Sequence, residues 1–318
     1  MASASRHRPG RSTPSATLAD PTRSAARPAP TDPQSVTAVL TAVRQAADVI
    51  CDRWSLTLIL AAFHGATRYG EFSRDTGMAD RLIADRLKGL EQQGIFAREL
   101  YSRRPQRYGY RLTPMGRQTS EIFRQMVRWQ VNSDLPPDPT LVSWATPLAA
   151  SLACPGCGQI LTARDIDLRL VPGLLRQIPD KQVARRRSTL PAGSGPMGLG
   201  PSLDIFGDKW GIEVLICAFM RLRRFSDMRA ATGMAANILT DRLARLSDLG
   251  LLSKSDAGYR LTKRGLDLYG VTVAIQDWAD AWLEPRFRSP VRLMHRSCGG
   301  VFSLPPVSPP LGWESRQG

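Results

Sequence analysis

Two stretches decide the reading: DRWSLTLILAAF at residues 52–63 and DKWGIEVLICAF at residues 208–219. They stand 156 positions apart, and that register runs on without a gap. Arg68-Tyr69 meets Arg224-Phe225, Thr76-Gly77-Met78-Ala79 meets Thr232-Gly233-Met234-Ala235, and Asp85-Arg86-Leu87 meets Asp241-Arg242-Leu243. About 14 of 47 aligned positions are identical, which marks an internal duplication of two units. Past Arg98 and Lys254 the offset becomes 149: Tyr110 to Thr113 meets Tyr259 to Thr262, and Trp129 meets Trp278. The second copy has therefore lost seven residues, all from one loop.

Within the first copy, Leu56, Ile59, Leu60 and Phe63 recur at helical spacing, as do Met78, Leu82, Leu87 and Leu90. Between them a short amphipathic piece with Tyr69 and Phe72 ends at Thr76-Gly77, a turn where glycine can take a positive φ. Helix, tight turn, helix is the order of a helix-turn-helix. Gly94 closes the second of these helices, and IFAREL and YGYRLT are extended candidates on either side of the basic loop SRRPQR. Thr113 followed by Pro114 opens a last helix running to about Trp129. The predicted fold class is mainly α with small β wings, as tandem winged helix-turn-helix domains.

These residues resemble the HxlR family of bacterial winged-helix regulators. The resemblance rests on the Asp-Arg-Trp and Asp-Lys-Trp starts, the Leu-x-x-x-x-Leu-x-x-Leu-x-x-x-Gly run, the wing with Tyr-x-Tyr-x-Leu-Thr-x-x-Gly, and the terminal helix ending in Trp. It covers roughly residues 38–130 and 202–283. It implies transcription control, with the helices at both ends of each domain forming a dimer interface. Many relatives carry a sensing cysteine just before the first core helix; here those positions are Thr41 and Met197, so the resemblance does not extend to a thiol switch of that kind.

Lys and Arg outnumber Asp and Glu by 43 to 28 in 318 residues, a formal charge of +15 that suits a polyanionic partner such as double-stranded DNA. The longest apolar runs, Leu56 to Phe63 and Val214 to Met220, are too short to span a bilayer, and the first residues lack a secretory signal. A cytoplasmic protein with no membrane partner is expected. The predicted organisation is a disordered basic tail at 1–34, one winged unit at 35–131, a CxxC-containing segment and linker at 132–200, the second unit at 201–284, and a C-terminal tail with HxxC at 285–318.

For DNA, the outward face of the first recognition helix offers Asp80, Arg81, Ala84, Asp85 and Lys88. Arg81 and Ala84 are expected near base edges and Lys88 at a phosphate. The second helix offers Ala236, Asn237, Thr240, Asp241 and Arg245, with Asn237 and Thr240 as base readers. Asp85 and Asp241 are expected to pair with nearby arginines. Arg98, Arg103, Arg104 and Arg107 crowd the first wing, whereas its counterpart, Ser255 to Gly258, carries one acid and no cation. The two halves should then contribute unequally, either as an internal pseudo-dimer or within a homodimer. Trp54, Trp129, Trp210 and Trp278 fall in apolar helical patterns and are read as packing residues.

Cys51 and Cys217 sit in apolar helical patterns as buried thiols. Cys154-Pro-Gly-Cys157-Gly supplies two ligands where tetrahedral zinc needs four, and His295-x-x-Cys298-Gly supplies two more after the second unit. Joined, Cys154, Cys157, His295 and Cys298 are either a zinc site or its remnant. No nucleophile-base set, phosphate loop or paired carboxylates stand out, so an enzyme is not expected. The rival to a DNA-binding regulator is a winged-helix module that binds another protein, favoured by Asp80, Asp85 and Asp241 and opposed by the Arg-rich wing.

Overall fold

A computed structural model describes residues 33–135, 139, 152–171, 199–284 and 288–304. The tail expected at 1–34 lies outside them except for its last two positions, and so does the Gly/Pro-rich end of the linker at 172–198.

The first unit begins with α1 (Pro33–Ile50), two residues inside the expected tail, followed by α2 (Arg53–Phe63), α3 (Tyr69–Thr76) and α4 (Asp80–Gln92). Asp52 caps α2 by accepting from the Ser55 amide at 3.0 Å. Gly77, at φ +63, makes the turn between α3 and α4. On α4, Ile83, Leu87 and Leu90 are buried along one helical face, which turns the remaining residues outward. The wing is an antiparallel pair, β1 (Phe96–Arg103) and β2 (Gln106–Leu112). The basic loop is thus largely strand: Arg103 pairs with Gln106, and two residues make the turn.

The single helix expected from Thr113 to about Trp129 is two, α5 (Pro114–Arg117) and α6 (Ser120–Asn132). Thr113 caps α5 by accepting from the Gly116 amide at 3.1 Å. Gly116 lies so close to the Ile95 carbonyl that a Cβ would stand 2.3 Å from its oxygen. Directly after it the chain tightens, with the Thr119 amide donating three residues back, and α6 begins at the next residue.

The second unit repeats the plan with α7 (Gly200–Phe206), α8 (Lys209–Phe219), α9 (Phe225–Thr232), α10 (Ala236–Asp248), β4 (Leu252–Ser255), β5 (Gly258–Leu261), α11 (Lys263–Leu266) and α12 (Tyr269–Trp282). Gly233 repeats the turn at φ +68, and Gly265 repeats Gly116, with a Cβ falling 2.2 Å from the Leu251 oxygen. The missing residues come out of the wing, whose strands are four residues each.

The units pack on one another in a two-way manner. The Trp129 indole N–H donates to the Arg264 carbonyl and that of Trp278 to the Met115 carbonyl, both at 3.0 Å. Trp129 corresponds to Trp278, and Met115 to Arg264, so each contact is the exchange of the other. The same exchange relates the ion pair Arg53–Asp204 to Lys209–Asp48, the latter at 2.8 Å. Trp129 and Trp278 are both buried, as packing residues should be, while Trp54 and Trp210 are half-buried. One element breaks the symmetry: α1 has 18 residues against 7 in α7. It lies along α8 and α9, where Arg44 meets Glu213 at 2.8 Å and the Thr232 carbonyl at 2.6 Å.

A third, small unit joins the segment after the first copy to the segment after the second. β3 (Ile166–Leu170) pairs antiparallel with β6 (Val291–His295), Ile166 opposite His295. This ribbon rests on α12, where Asp277 accepts from the Leu304 amide at 2.6 Å and Asp280 from the Ser289 amide at 2.7 Å.

Candidate nucleic-acid interface and metal centre

Arg81, Ala84 and Lys88 are exposed on α4, as the burial of Ile83 and Leu87 requires. The helix is held from behind: Arg86 reaches Asp52 at 3.0 Å, and its counterpart Arg242 on α10 reaches Asp208 at 2.5 Å. Each recognition helix is thereby tied to the cap of the core helix beneath it. Asp80 is engaged by α3, accepting from Ser73 at 3.2 Å. The arginine partner expected for Asp241 is Arg242. Asp85 departs from expectation: it is exposed and makes no ion pair among the described residues, because the adjacent Arg86 is taken by Asp52.

On α10, Asn237 and Thr240 are exposed, and the Thr240 hydroxyl donates to the Ala236 carbonyl at 2.9 Å, which leaves its oxygen to accept. Arg245 does not share the outward face. It is half-buried, with its guanidinium 3.4 Å from the Asp204 carbonyl. The register explains this: Lys88 corresponds to the exposed Ala244, whereas Arg245 corresponds to Gly89. The second recognition helix has no cation at the Lys88 position.

All four wing arginines are exposed. Arg98 lies over the Tyr108 ring, 4.2 Å from its centroid, and Arg111 is paired with Glu99. Arg103, Arg104 and Arg107 gather at the tip with no ion pair among the described residues. Sequence reasoning missed Arg68, which stacks over the Tyr101 ring at 4.8 Å and adds a cation where the wing meets α3. Its sequence signal was the recurrence of Arg68-Tyr69 as Arg224-Phe225, which says nothing of the wing residue it stacks on.

The four candidate ligands come together. Their ligating atoms all lie within 4.8 Å of one another: Cys154 Sγ is 3.6 Å from Cys298 Sγ, and His295 Nδ1 is 3.3 Å from Cys157 Sγ and 3.2 Å from Cys298 Sγ. A tetrahedral ion with bonds of about 2.0–2.3 Å holds its donors roughly 3.5–3.8 Å apart, so the spacing fits after small relaxation. Two matching turns build the cluster. The Gly158 amide donates to the Cys154 carbonyl and the Gly299 amide to the His295 carbonyl, both at 2.8 Å, with the two glycines at φ +74 and +69. Burial opposes ionisation of Cys154, but the amides of Gly156 and Cys157 and the neighbouring thiols bring its pKa down to about 6. Cys51 and Cys217 are buried as expected, and burial pushes both thiols up to about 12.

The family model for the HxlR-like helix-turn-helix matches residues 49–135 and 205–287, together more than half of the chain. The chain belongs to this family. An HxlR-like chain of this kind has relatives that are, by name, uncharacterized HTH-type transcriptional regulators. One from Mycobacterium tuberculosis (strain CDC 1551 / Oshkosh) is 33% identical over 108 residues, 32% of this chain and 68% of the relative. YtfH of Escherichia coli (strain K12) is 31% identical over 81 residues, 25% of this chain and 64% of its own length. YybR of Bacillus subtilis (strain 168) is 35% identical over 83 residues, 26% of this chain and 66% of its own length. No solved structure matches. The HxlR-like regions exclude all four Cys and His ligands, which lie beyond residue 135 and beyond residue 287. Among the described residues no helix is long and apolar enough to cross a membrane.

Proposed function

We propose that this HxlR-like chain is a transcriptional repressor whose two units act as an internal dimer on one operator in double-stranded DNA. The observation that carries the reading is the outward face of α4, with Arg81, Ala84 and Lys88 exposed beside a wing whose tip arginines are unpaired among the described residues. Arg81 and Ala84 read base edges and Lys88 meets a phosphate; Arg103, Arg104 and Arg107 follow the backbone or enter a minor groove. Asn237 and Thr240 read the other half-site. The internal dimer is supported by the exchanged contacts of Trp129 and Trp278, which need no second chain. Repression is the sign favoured by the family resemblance.

In this reading Cys154, Cys157, His295 and Cys298 hold one zinc ion. A site closed by four protein ligands supplies folding energy rather than catalysis. It fastens residues that follow the first unit to residues that follow the second.

The test is binding of the purified full chain to its own upstream DNA at two salt concentrations, beside a variant carrying Arg81→Ala and Lys88→Ala. A footprint that the variant loses is expected. Binding that is absent, or equal for random DNA and for the variant, would remove the specific-regulator reading. It would favour a protein-binding module, for which the exposed Asp85 and the acidic tip of the second wing already speak.

A further inference from the structure

A cavity of about 920 Å³ lies between α1, α8, α12 and the β3–β6 ribbon. Its size falls within the range of roughly 300–1,000 Å³ typical of small-molecule sites. The wall is mostly apolar: Val43 and Ala46 come from α1, Ile216 and Phe219 from α8, Val273 from α12, and Leu168 from the ribbon. These side chains belong to all three structural units, and the cavity exists because α1 has crossed onto the second unit.

The charge left without an ion pair among the described residues is of one sign. Arg164, Arg221, Arg223 and Arg260 line the cavity, three exposed and Arg223 half-buried, and none makes an ion pair among the described residues. The two acids on the wall have partners already: Asp167 is 2.8 Å from Arg296, and Asp280 is 3.7 Å from Arg292 while accepting from the Ser289 amide. A second observation singles out Arg221. It holds a left-handed backbone at φ +64, a conformation disfavoured for any residue with a Cβ. The first copy has glycine at the equivalent position, Gly65 at φ +103. The duplication has thus placed a cation where the backbone prefers glycine, at the edge of an apolar cavity.

We propose that this cavity binds an apolar organic acid, its hydrocarbon part between α1, α8 and the ribbon and its anionic group at Arg221 and Arg223. Tyr259 and Arg260 of the second wing also line it, which makes it the effector site of the regulator. That last role rests on the DNA-binding reading; occupancy of the cavity does not.

The experiment is calorimetric titration of the full chain, without DNA, with dodecanoate and dodecyltrimethylammonium below their micellar concentrations and with dodecanol below its solubility. Dodecanoate should bind saturably at one per chain and at least tenfold more tightly than the other two. Arg221→Gly, which restores the glycine of the first copy and relieves the backbone, should weaken dodecanoate about tenfold and leave dodecanol unchanged. Ile216→Trp, which fills the cavity, should weaken both. No saturable binding, equal binding of the three probes, or indifference to Arg221→Gly would overturn the proposal. Because DNA is absent, failure here is distinct from failure of the operator reading.

Discussion

Consider a variant in which Arg103, Arg104 and Arg107 are all alanine. These three exposed side chains stand at a two-residue turn and have no ion pair among the described residues, so removing them costs the fold little. Each phosphate neutralised on duplex DNA adds about 0.9 to the slope of log affinity against log salt. If all three touch phosphates, the variant's slope should be shallower by about 2.7. Between 50 and 200 mM salt, that difference makes the native protein lose about 40-fold more affinity than the variant. Fluorescence anisotropy of labelled upstream DNA across that range measures both slopes. Arg111→Ala is the internal control: Arg111 is occupied by Glu99, and its loss should leave the slope within about half a unit of the native value. A native slope that is steep yet unchanged in the triple variant would refute the wing as a backbone contact.

Three other measurements bear on the remaining claims. Freshly purified, reduced protein should hold one zinc per chain; structural sites of this type bind with roughly 10 kcal/mol or more, so Cys157→Ser should lose metal on gel filtration, and substoichiometric metal in the native protein would dismiss the site. Trp278→Phe leaves the Met115 carbonyl without its 3.0 Å donor and should cost about 1–3 kcal/mol in thermal denaturation; Trp129→Phe should cost a similar amount, and a negligible effect of both would mean the units do not pair this way in solution. Burial pushes Asp277 up to about 7, with the Leu304 amide acting against it. A carboxyl raised in the folded state stabilises most below its unfolded pKa of about 4, and that contribution is lost as pH rises through about 7. Melting temperature should therefore fall between about pH 4 and 7 through this group, and Asp277→Asn should flatten the fall; identical profiles would show that Asp277 is ionised throughout.

Local physics was legible in the sequence. The apolar spacing of Met78, Leu82, Leu87 and Leu90 set the face of α4, and Gly77 and Gly233 announced turns that the structure places at positive φ. The loss of seven residues located the shorter wing. Errors arose where neighbours intervene. Arg245 reads as outward on a helical wheel, but it lies one position beyond the register of Lys88, and Asp204 on α7 draws it inward. Asp85 reads as an arginine partner, and Asp52 claims Arg86 first. The last helix reads as continuous because nothing local reveals that Gly116 must clear the Ile95 carbonyl.

By itself the sequence determined the duplication, the helix-turn-helix order of each copy, and the four residues fit to bind a metal. Periodicity, capping and glycine turns act over a few residues, so a linear reading reaches them. Only the tertiary structure decided that the copies exchange Trp129 and Trp278 within one chain, that Cys154 stands 3.6 Å from Cys298 across 144 residues, and that α1 crosses to enclose an apolar cavity. Such contacts depend on which buried faces meet, and that is settled by the packing of whole elements rather than by the preferences of neighbouring residues.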